Sequence, residues 1–476
     1  MKSLLLYALL LVFAGNVLDM RGQDPGEYAL PTWLTQHEAV TAGVLEVPEN
    51  HDKPKGKQIQ IAYAVVRAKE PVEGAHPMIF FSGGPGGVTL DEGLLGAIME
   101  HPFRQSRDVI LFDQRGIGLS SPLPDMSFDS FEILAKDADP EGELALTRQM
   151  IEAYKIKCAE FNVEPAHYNS QQSARDVGML FEHLGYAKYN LFGGSYGTRL
   201  ARVVQDLFPD AVYSSVLDSP APLSGDFLLN RLNSFSLSLS RIFDYCNDTP
   251  ECKKAYPDLE GDYFKAIDHL EKSPLHVTLR DSIPFVINEQ DGIYLIRRLL
   301  YQDNSREKAP ELIHAFLNGE GEVLQNVLEF EYRLTGGLNL TMLLSVEKYE
   351  NFNPENTPET IREVYQDYPL VPVKLGFFDA FYQAGMDWHP GHMPLEDRHF
   401  EESDIPTLIF VNRYDPVTPP KNGVLFKKQL NNGTLLILDE GGHGGGNGDC
   451  KDQVIVAFMD NPNQSPDVSC LNLYKE

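Results

Sequence analysis

The sequence predicts an α/β fold built on a mostly parallel sheet with helices on both faces. Short, continuous apolar segments recur along the chain, each ends in glycine-rich or turn-forming sequence, and helical patterns separate them. Strands that are apolar without alternation are typical of a sheet buried on both sides. The segments are residues 78–81, 109–112, 189–192, 212–217, 407–411 and 435–438. Only residues 59–65 alternate apolar and polar side chains, as a half-buried strand does, and residues 44–47 are a shorter candidate partner.

Between residues 222 and 385 the pattern changes to long helical segments with few strand candidates. Strand candidates resume after Ile405, so this stretch is predicted to be a mainly helical insertion that packs over the sheet as a cap. We therefore expect four parts in this chain of 476 residues. They are an export signal (1–22), the first part of the α/β core (23–221), the cap (222–385) and the C-terminal part of the core (386–476).

The charge balance argues against a nucleic-acid partner. Acidic residues outnumber basic ones, 69 to 40, and the net charge is −29, which repels phosphate backbones. Cationic or amine-bearing partners suit such a field, although solubility alone is the ordinary explanation. No segment after the N-terminal one reaches transmembrane length, so stable membrane insertion is not expected.

The first residues resemble an export signal. Lys2 precedes an apolar segment, residues 4–14, which is too short to span a bilayer comfortably. Cleavage after Ala14 is one option, and an uncleaved anchor is the alternative. The pattern predicts a secreted or periplasmic protein.

The five cysteines fit an oxidising compartment. Cys246 and Cys252 are expected to close a short loop, and Cys450 and Cys470 a second one near the C-terminus. Cys158 is left over and is interpreted as a buried apolar residue, because no His or Asp pattern surrounds it.

Residues 193–197, GGSYG, fit the pattern G-x-S-x-G between a predicted buried strand and an amphipathic helix. In that context a sharp strand-to-helix turn lifts a serine hydroxyl above the sheet, and the small flanking residues let the backbone segments approach. Ser195 is therefore a candidate nucleophile.

A serine nucleophile needs a base to take its proton and a carboxylate to orient that base. Asp415 follows the predicted strand at 407–411, and His443 follows the one at 435–438 in a glycine-rich segment. The chain order Ser, Asp, His, with each residue on a loop after a strand, is the order of the α/β-hydrolase fold.

The same chemistry needs backbone N–H groups for the developing oxyanion. We expect one from Tyr196 and the other from Gly84, with Gly83 as the near alternative, in the loop SGGPGG at residues 82–87. No G-K-S/T follows that loop, so a nucleotide site is not expected. No ligand-spaced His or Cys cluster calls for a metal, and no cofactor is predicted.

Several segments together resemble the proline iminopeptidase and tripeptidyl aminopeptidase-like branch of the α/β hydrolases. They are GGPGG (83–87), DQRG (113–116), ARD (174–176), GGSYGT (193–198), DPVTP (415–419) and GHG (442–444). The resemblance extends from about residue 40 to 470. It implies a secreted serine exopeptidase whose partners are peptides with a free N-terminus, from which it removes one or a few residues. The chain differs from longer members in lacking cap cysteines at 345–350 and 384–388, and from compact members in having Ser82 where histidine is usual.

An aminopeptidase must recognise a protonated amine, and a partly desolvated carboxylate does this well. Glu350 is the candidate, with a solvated glutamate on a helix face as the alternative. A carboxylesterase on the same scaffold is the first alternative function. A non-catalytic binding protein is the second, and a broken Ser, Asp, His set would be its signature.

Overall fold

A computed structural model describes residues 30–319, 321–372, 376–446 and 448–475. Eight strands form one sheet in the order β1-β2-β4-β3-β5-β6-β9-β10, and β7 and β8 form a separate hairpin. The strands are β1 (Val40–Pro48), β2 (Gln58–Val66), β3 (Met78–Phe81), β4 (Val109–Phe112), β5 (Tyr189–Gly194), β6 (Val212–Asp218), β7 (Leu275–Leu279), β8 (Ile283–Ile287), β9 (Thr407–Asn412) and β10 (Gly433–Leu438). The pairs β1–β2 and β2–β4 are antiparallel, and the sheet is parallel from β4 to β10. The predicted mostly parallel sheet is confirmed.

Some helices cover the two faces of this sheet, and others form a separate helical layer. They are α1 (Thr32–Thr35), α2 (Glu92–Glu100), α3 (Ser127–Leu134), α4 (Pro140–Glu160), α5 (Ser170–Leu184), α6 (Tyr196–Leu207), α7 (Phe227–Asp248), α8 (Pro250–Ala255), α9 (Leu259–Lys272), α10 (Glu289–Leu299), α11 (Ser305–Asn318), α12 (Glu322–Gly336), α13 (Leu340–Glu350), α14 (Pro358–Val364), α15 (Phe377–Gly385), α16 (Pro420–Lys428) and α17 (Gly448–Asp460). Helices α5, α6 and α16 contribute to one apolar core and α1, α2 and α17 to another, on opposite faces.

The expectation of a half-buried strand at residues 59–65 is wrong in one respect. Ile61, Tyr63 and Val65 pack in the core with α5 and α6, whereas Ala62 and Ala64 pack in the core with α1 and α2. Both faces of β2 are therefore buried, because helices lie on either side and β1 and β4 flank it. The alternation reflects two cores rather than one solvated face.

The chain between β6 and β9 is mainly helical in the part that the structure describes, as the sequence predicts for an insertion. Its helices share an apolar core to which α3 and α4 also contribute, through Phe131, Met150 and Tyr154 among others. The helical layer over the sheet is therefore built from two separate stretches of chain. The boundaries at residues 222 and 385 stay a prediction.

Two disulfides link the pairs that the sequence predicts, Cys246–Cys252 and Cys450–Cys470. Cys158 is a buried free thiol, and burial raises its pKa to about 12. The predicted export signal, residues 1–22, lies outside the described residues. Among the described helices, none has the length and apolar character needed to cross a bilayer.

Candidate active site

The turn between β5 and α6 holds Ser195 in a strained conformation, with φ 52° and ψ −122°. Glycines on both sides make this turn possible. A Cβ at Gly193 would collide with the carbonyl oxygen of Gly197, and a Cβ at Gly197 would collide with the carbonyl oxygen of Phe81 on β3. The close approach of these backbone segments is the steric reason for the GGSYG pattern.

The structure brings Ser195, His443 and Asp415 into one hydrogen-bonded chain. Ser195 Oγ lies 2.8 Å from His443 Nε2, and Asp415 Oδ2 lies 2.8 Å from His443 Nδ1. The N–H groups of Val417 and Thr418 donate to Asp415 Oδ1, and the Thr418 hydroxyl donates to Asp415 Oδ2 at 2.7 Å. Sequence reasoning did not single out Thr418, although it belongs to the DPVTP segment.

The electrostatics of this chain favour a charged imidazole. Burial by itself lowers the pKa of His443, but the adjacent Asp415 carboxylate outweighs burial and holds the pKa above the usual 6.5. For Asp415, burial raises the pKa. The attraction and hydrogen bond of His443 outweigh burial, so the net shift of the Asp415 pKa is downward. The pair is therefore arranged to stabilise a proton received from Ser195.

The loop after β3 lies beside the serine. A Cβ built on Gly83 would lie 3.1 Å from Ser195 Cβ and 3.6 Å from Ser195 Oγ, whereas one built on Gly84 would meet Leu338 Cδ2 at 3.1 Å. Tyr196 is the first residue of α6, where N–H groups lack acceptors within the helix. The choice between Gly83 and Gly84 as the second oxyanion donor stays a prediction.

Backbone contacts tie this loop to the helical layer. The N–H of Asn339 donates to the carbonyl of Gly86 at 2.9 Å, and the N–H of Val88 donates to the carbonyl of Gly337 at 3.3 Å. A Cβ at Gly86 would collide with the carbonyl oxygen of Asn339. The segment between α12 and α13 therefore buttresses the predicted oxyanion loop.

The loop that carries His443 is held from two sides. The N–H of His443 donates to the carbonyl of Tyr301 at 3.0 Å, on the connection between α10 and α11. From the other side, Lys451 Nζ on α17 donates to Asp218 Oδ2 at 2.7 Å and to the carbonyl of Gly445 at 3.3 Å. Both the helical layer and the C-terminal helix therefore position the histidine.

Glu350, the amine-binding candidate from the sequence, is 0% exposed and fully engaged. The N–H of Ser170 donates to its Oε1 at 2.6 Å, and Arg199 Nη1 and the Ser170 hydroxyl donate to its Oε2 at 2.9 and 3.1 Å. Burial raises the pKa of Glu350, with Arg199 and Ser170 opposing that shift. Because no atom of its side chain reaches solvent, the interpretation as a solvated helix-face residue is wrong.

A second carboxylate lies one turn earlier on α13. Glu347 Oε2 is 3.7 Å from Arg199 Nη1, and Glu347 Oε1 is 3.9 Å from Arg231 Nη2. These distances exceed a hydrogen bond, and no residue in the described ranges donates one to the Glu347 carboxylate. Sequence reasoning missed Glu347. The only signal that could have found it is its position three residues before Glu350 on the same helix, α13.

A Ser, His, Asp chain at the carboxyl ends of parallel strands, under a helical layer, defines a serine hydrolase of the α/β-hydrolase fold. A family model described as the alpha/beta hydrolase fold matches residues 76–256, and one described as TAP-like protein matches residues 382–470. These matches, together with relatives named tripeptidyl aminopeptidase, serine protease and proline iminopeptidase, support an α/β-hydrolase peptidase family. Across the described residues, no group of three His, Cys, Asp or Glu side chains is placed to hold a metal ion.

Three relatives illustrate the similarity. The Escherichia coli protein named "Putative hydrolase YuaR" is 23% identical over 432 residues, covering 87% of this chain and 83% of that protein. The serine protease Hip1 of Mycobacterium tuberculosis is 24% identical over 455 residues, covering 88% and 84%. The tripeptidyl aminopeptidase of Streptomyces lividans is 31% identical over 209 residues, and that match covers 41% of this chain but only 38% of the enzyme.

Proposed function

We propose that this protein is an exported serine exopeptidase that cleaves peptides near their free N-terminus. The observation that carries the proposal is the hydrogen-bonded chain from Ser195 through His443 to Asp415, with 2.8 Å at each step. Relatives named as aminopeptidases and as a serine protease support the choice of peptides as substrate.

The proposed mechanism follows from the roles of the three side chains. His443 takes the proton of Ser195 as its oxygen attacks the scissile carbonyl, and Asp415 holds the imidazole in the tautomer that this requires. The N–H groups of Tyr196 and Gly84 stabilise the oxyanion. His443 then gives its proton to the leaving amine, the N-terminal fragment stays esterified to Ser195, and water releases it.

Selectivity for a free N-terminus requires an acceptor for a protonated amine. In the proposal Glu347 has this role in place of Glu350, because Glu350 is saturated by Ser170 and Arg199 whereas Glu347 has hydrogen-bonding capacity left. A carboxylate in a desolvated crevice discriminates strongly, since a blocked terminus leaves its charge without a partner.

The two glutamates provide a matched test because they lie on the same helix. We expect Glu347→Gln to raise KM for free-amine peptidyl anilides about tenfold or more and to leave KM for their N-acetylated forms unchanged. Glu350→Gln should lower the melting temperature and change both substrate classes equally, because it weakens a buried ion pair. Equal effects of Glu347→Gln on free and blocked substrates would remove Glu347 from the amine site.

The broader proposal is tested with three substrate classes, namely free-amine peptidyl anilides, their N-acetylated forms and short acyl esters. We expect the free-amine class to be turned over fastest, and Ser195→Ala to abolish turnover and fluorophosphonate labelling without changing the melting temperature. Faster turnover of esters than of any free-amine peptide would assign a carboxylesterase instead. Retained peptidase activity in Ser195→Ala would end the proposal.

Export is part of the proposal because two features favour it. Lys2 and the apolar residues 4–14 have the pattern of an export signal, and the two disulfides are typical of an oxidising compartment. N-terminal sequencing of the mature protein tests it, with a start beyond residue 14 expected and an intact Met1 contradicting it.

A further inference from the structure

Three guanidinium groups surround the ring of Phe378, which belongs to the core of the helical layer. Arg297, Arg231 and Arg298 lie 4.7, 5.1 and 5.5 Å from the ring centroid, measured from the central carbon of each group. Like charges this close repel, and burial away from water increases that repulsion. Such an arrangement needs anions to balance it.

Only part of this charge is balanced by the protein. Arg298 Nε lies 2.6 Å from Glu331 Oε2, and Arg231 Nη2 lies 3.9 Å from Glu347 Oε1. Within the described ranges, no carboxylate oxygen lies within 4.0 Å of Arg297. One buried positive charge is therefore left without an ionic partner.

The hydrogen bonds of Arg297 do not replace that partner. Arg297 is 1% exposed, its Nη1 donates to the hydroxyl of Tyr301 at 3.2 Å, and its Nε has no acceptor among the residues that the structure describes. Arg231 is similar, because its Nη1 donates to the carbonyl of Phe227 at 3.0 Å whereas its Nε has no acceptor in the described part of the chain. Buried guanidinium donors without acceptors are costly, and a bound carboxylate removes that cost.

These groups lie beside the candidate catalytic residues. Tyr301, the acceptor for Arg297, has its ring edge-on to the imidazole of His443 with centroids 5.2 Å apart. The side chain of Arg231 is 16% exposed, and Ser195 and Tyr301 are also partly exposed. Tyr301 therefore links Arg297 to His443, which is the hydrogen-bond partner of Ser195.

We propose that Arg297, assisted by Arg231, binds a carboxylate of the substrate. The proposed function makes that substrate a peptide, and this inference rests on it. The carboxylate is then either the side chain of an aspartate or glutamate, or the free C-terminus of a short peptide. Glu347 Oε1 lies 3.9 Å from Arg231 Nη2, so the same region offers an anion for the amine of the peptide and cations for its carboxylate, which favours short or acidic peptides.

The test uses free-amine peptides of three to five residues in two matched series. One series compares glutamate with glutamine at a single position in C-terminally amidated peptides, and the other compares a free C-terminus with an amide in peptides with neutral side chains. The wild-type protein is expected to show kcat/KM about tenfold to a hundredfold higher for the carboxylate member in one series. The series that shows the difference identifies whether the bound carboxylate is a side chain or the C-terminus. A ratio of one or less in both series overturns the proposal.

Two variants assign the effect to the arginine. Arg297→Gln is expected to reduce the ratio to about one, and because the ratio compares two substrates on the same variant, it is independent of any change in overall kcat/KM. Arg333→Gln, which removes an equal charge from an exposed position on α12, is expected to keep the wild-type ratio. An unchanged ratio in Arg297→Gln overturns the proposal.

A measurement on the wild-type protein covers the case in which Arg297→Gln does not fold. N-acetylated peptides with a free C-terminus, or with an amidated C-terminus and a glutamate, are compared as competitive inhibitors with their uncharged counterparts. Tighter inhibition by a charged form, by about tenfold or more, supports the proposal, and equal inhibition by both forms overturns it.

A further comparison separates this proposal from the proposed function. If no free-amine peptide is cleaved but fluorophosphonate labels Ser195, the peptidase proposal fails. The carboxylate site is then judged on two activated esters, the 4-nitrophenyl monoester of glutaric acid and 4-nitrophenyl pentanoate. Preference for the charged ester, lost in Arg297→Gln, supports the carboxylate site, and no preference overturns it.

Discussion

The ring of Tyr301 stands edge-on to the imidazole of His443, with centroids 5.2 Å apart and ring planes inclined at 72°. The carbonyl of Tyr301 also accepts a hydrogen bond from the N–H of His443 at 3.0 Å. Tyr301 lies on the connection between α10 and α11, and His443 follows the last strand of the sheet. The helical layer therefore takes part in positioning the proposed general base.

The charges around Tyr301 predict a pH-dependent carboxylate preference. Burial raises the pKa of Tyr301, but Arg297, Arg298 and His443 outweigh burial and lower it to about 8. Above that pH the phenolate neutralises Arg297, so the preference for carboxylate substrates should decline in the wild-type protein and persist in Tyr301→Phe. The measurement is the kcat/KM ratio of a glutamate and glutamine peptide pair on both sides of pH 8. Parallel pH curves for the two proteins would contradict the prediction.

Asp415→Asn is expected to lower kcat by about four orders of magnitude with little change in fold, because the imidazole loses its orienting acceptor. The acid limb of the pH–rate profile should also move to lower pH. Asp415 raises the pKa of His443, so its removal lets the neutral imidazole persist to lower pH. Steady-state kinetics across pH tests both effects. Asp439→Asn, a change at a partly exposed carboxylate after β10, is the control and should retain wild-type kcat.

Glu143 on α4 predicts a pH dependence of stability. The residue is 3% exposed, and neither of its carboxylate oxygens has a hydrogen-bond partner within the described ranges. Burial, with Asp379 nearby, raises its pKa to about 8 from the usual 4.5. A raised folded-state pKa stabilises the protein fully below pH 4.5, and this contribution is lost as the pH rises to about 8.

Glu143→Gln should remove that decline and increase the free energy of unfolding above pH 8 by a few kcal/mol, since each pKa unit corresponds to about 1.4 kcal/mol. Urea unfolding at the two ends of this pH window measures it. Glu141→Gln, at an exposed position on the same helix, should behave like the wild-type protein. A constant difference between Glu143→Gln and wild type at both pH values would show that Glu143 does not titrate as predicted.

Removal of the Cys450–Cys470 disulfide is expected to affect both stability and activity. It spans 20 residues, so the Cys450→Ala/Cys470→Ala variant should lose about 3 kcal/mol of unfolding free energy. Its kcat should also fall, because the adjacent Lys451 holds the loop of His443 through the carbonyl of Gly445. The matched variant Cys246→Ala/Cys252→Ala opens a shorter loop between α7 and α8 that does not carry a catalytic candidate, and it should lose less stability and keep kcat. Equal kcat in the two variants would argue against this link.

Local sequence was sufficient for the residues that follow strands. Ser195, Asp415 and His443 each lie on a turn after an apolar segment, and parallel strands bring their carboxyl ends to one edge of the sheet. The burial of residues 59–65 was harder to predict. Side chains that alternate along a strand give the same sequence pattern whether the second face meets solvent or a second core. The helices on the far side of β2 belong to distant segments, and no pattern within the strand reports them.

The sequence by itself determined the α/β fold, the order of the three proposed catalytic residues and the two disulfide pairs, because each depends on features that are neighbours in the chain. Only the tertiary structure decided which charges of the helical layer are saturated and which remain available. Glu350 meets Ser170 across 180 positions, whereas Arg297 meets no carboxylate of the described residues. Helical periodicity specifies the face on which a charge lies, but its electrostatic partner depends on how remote helices pack.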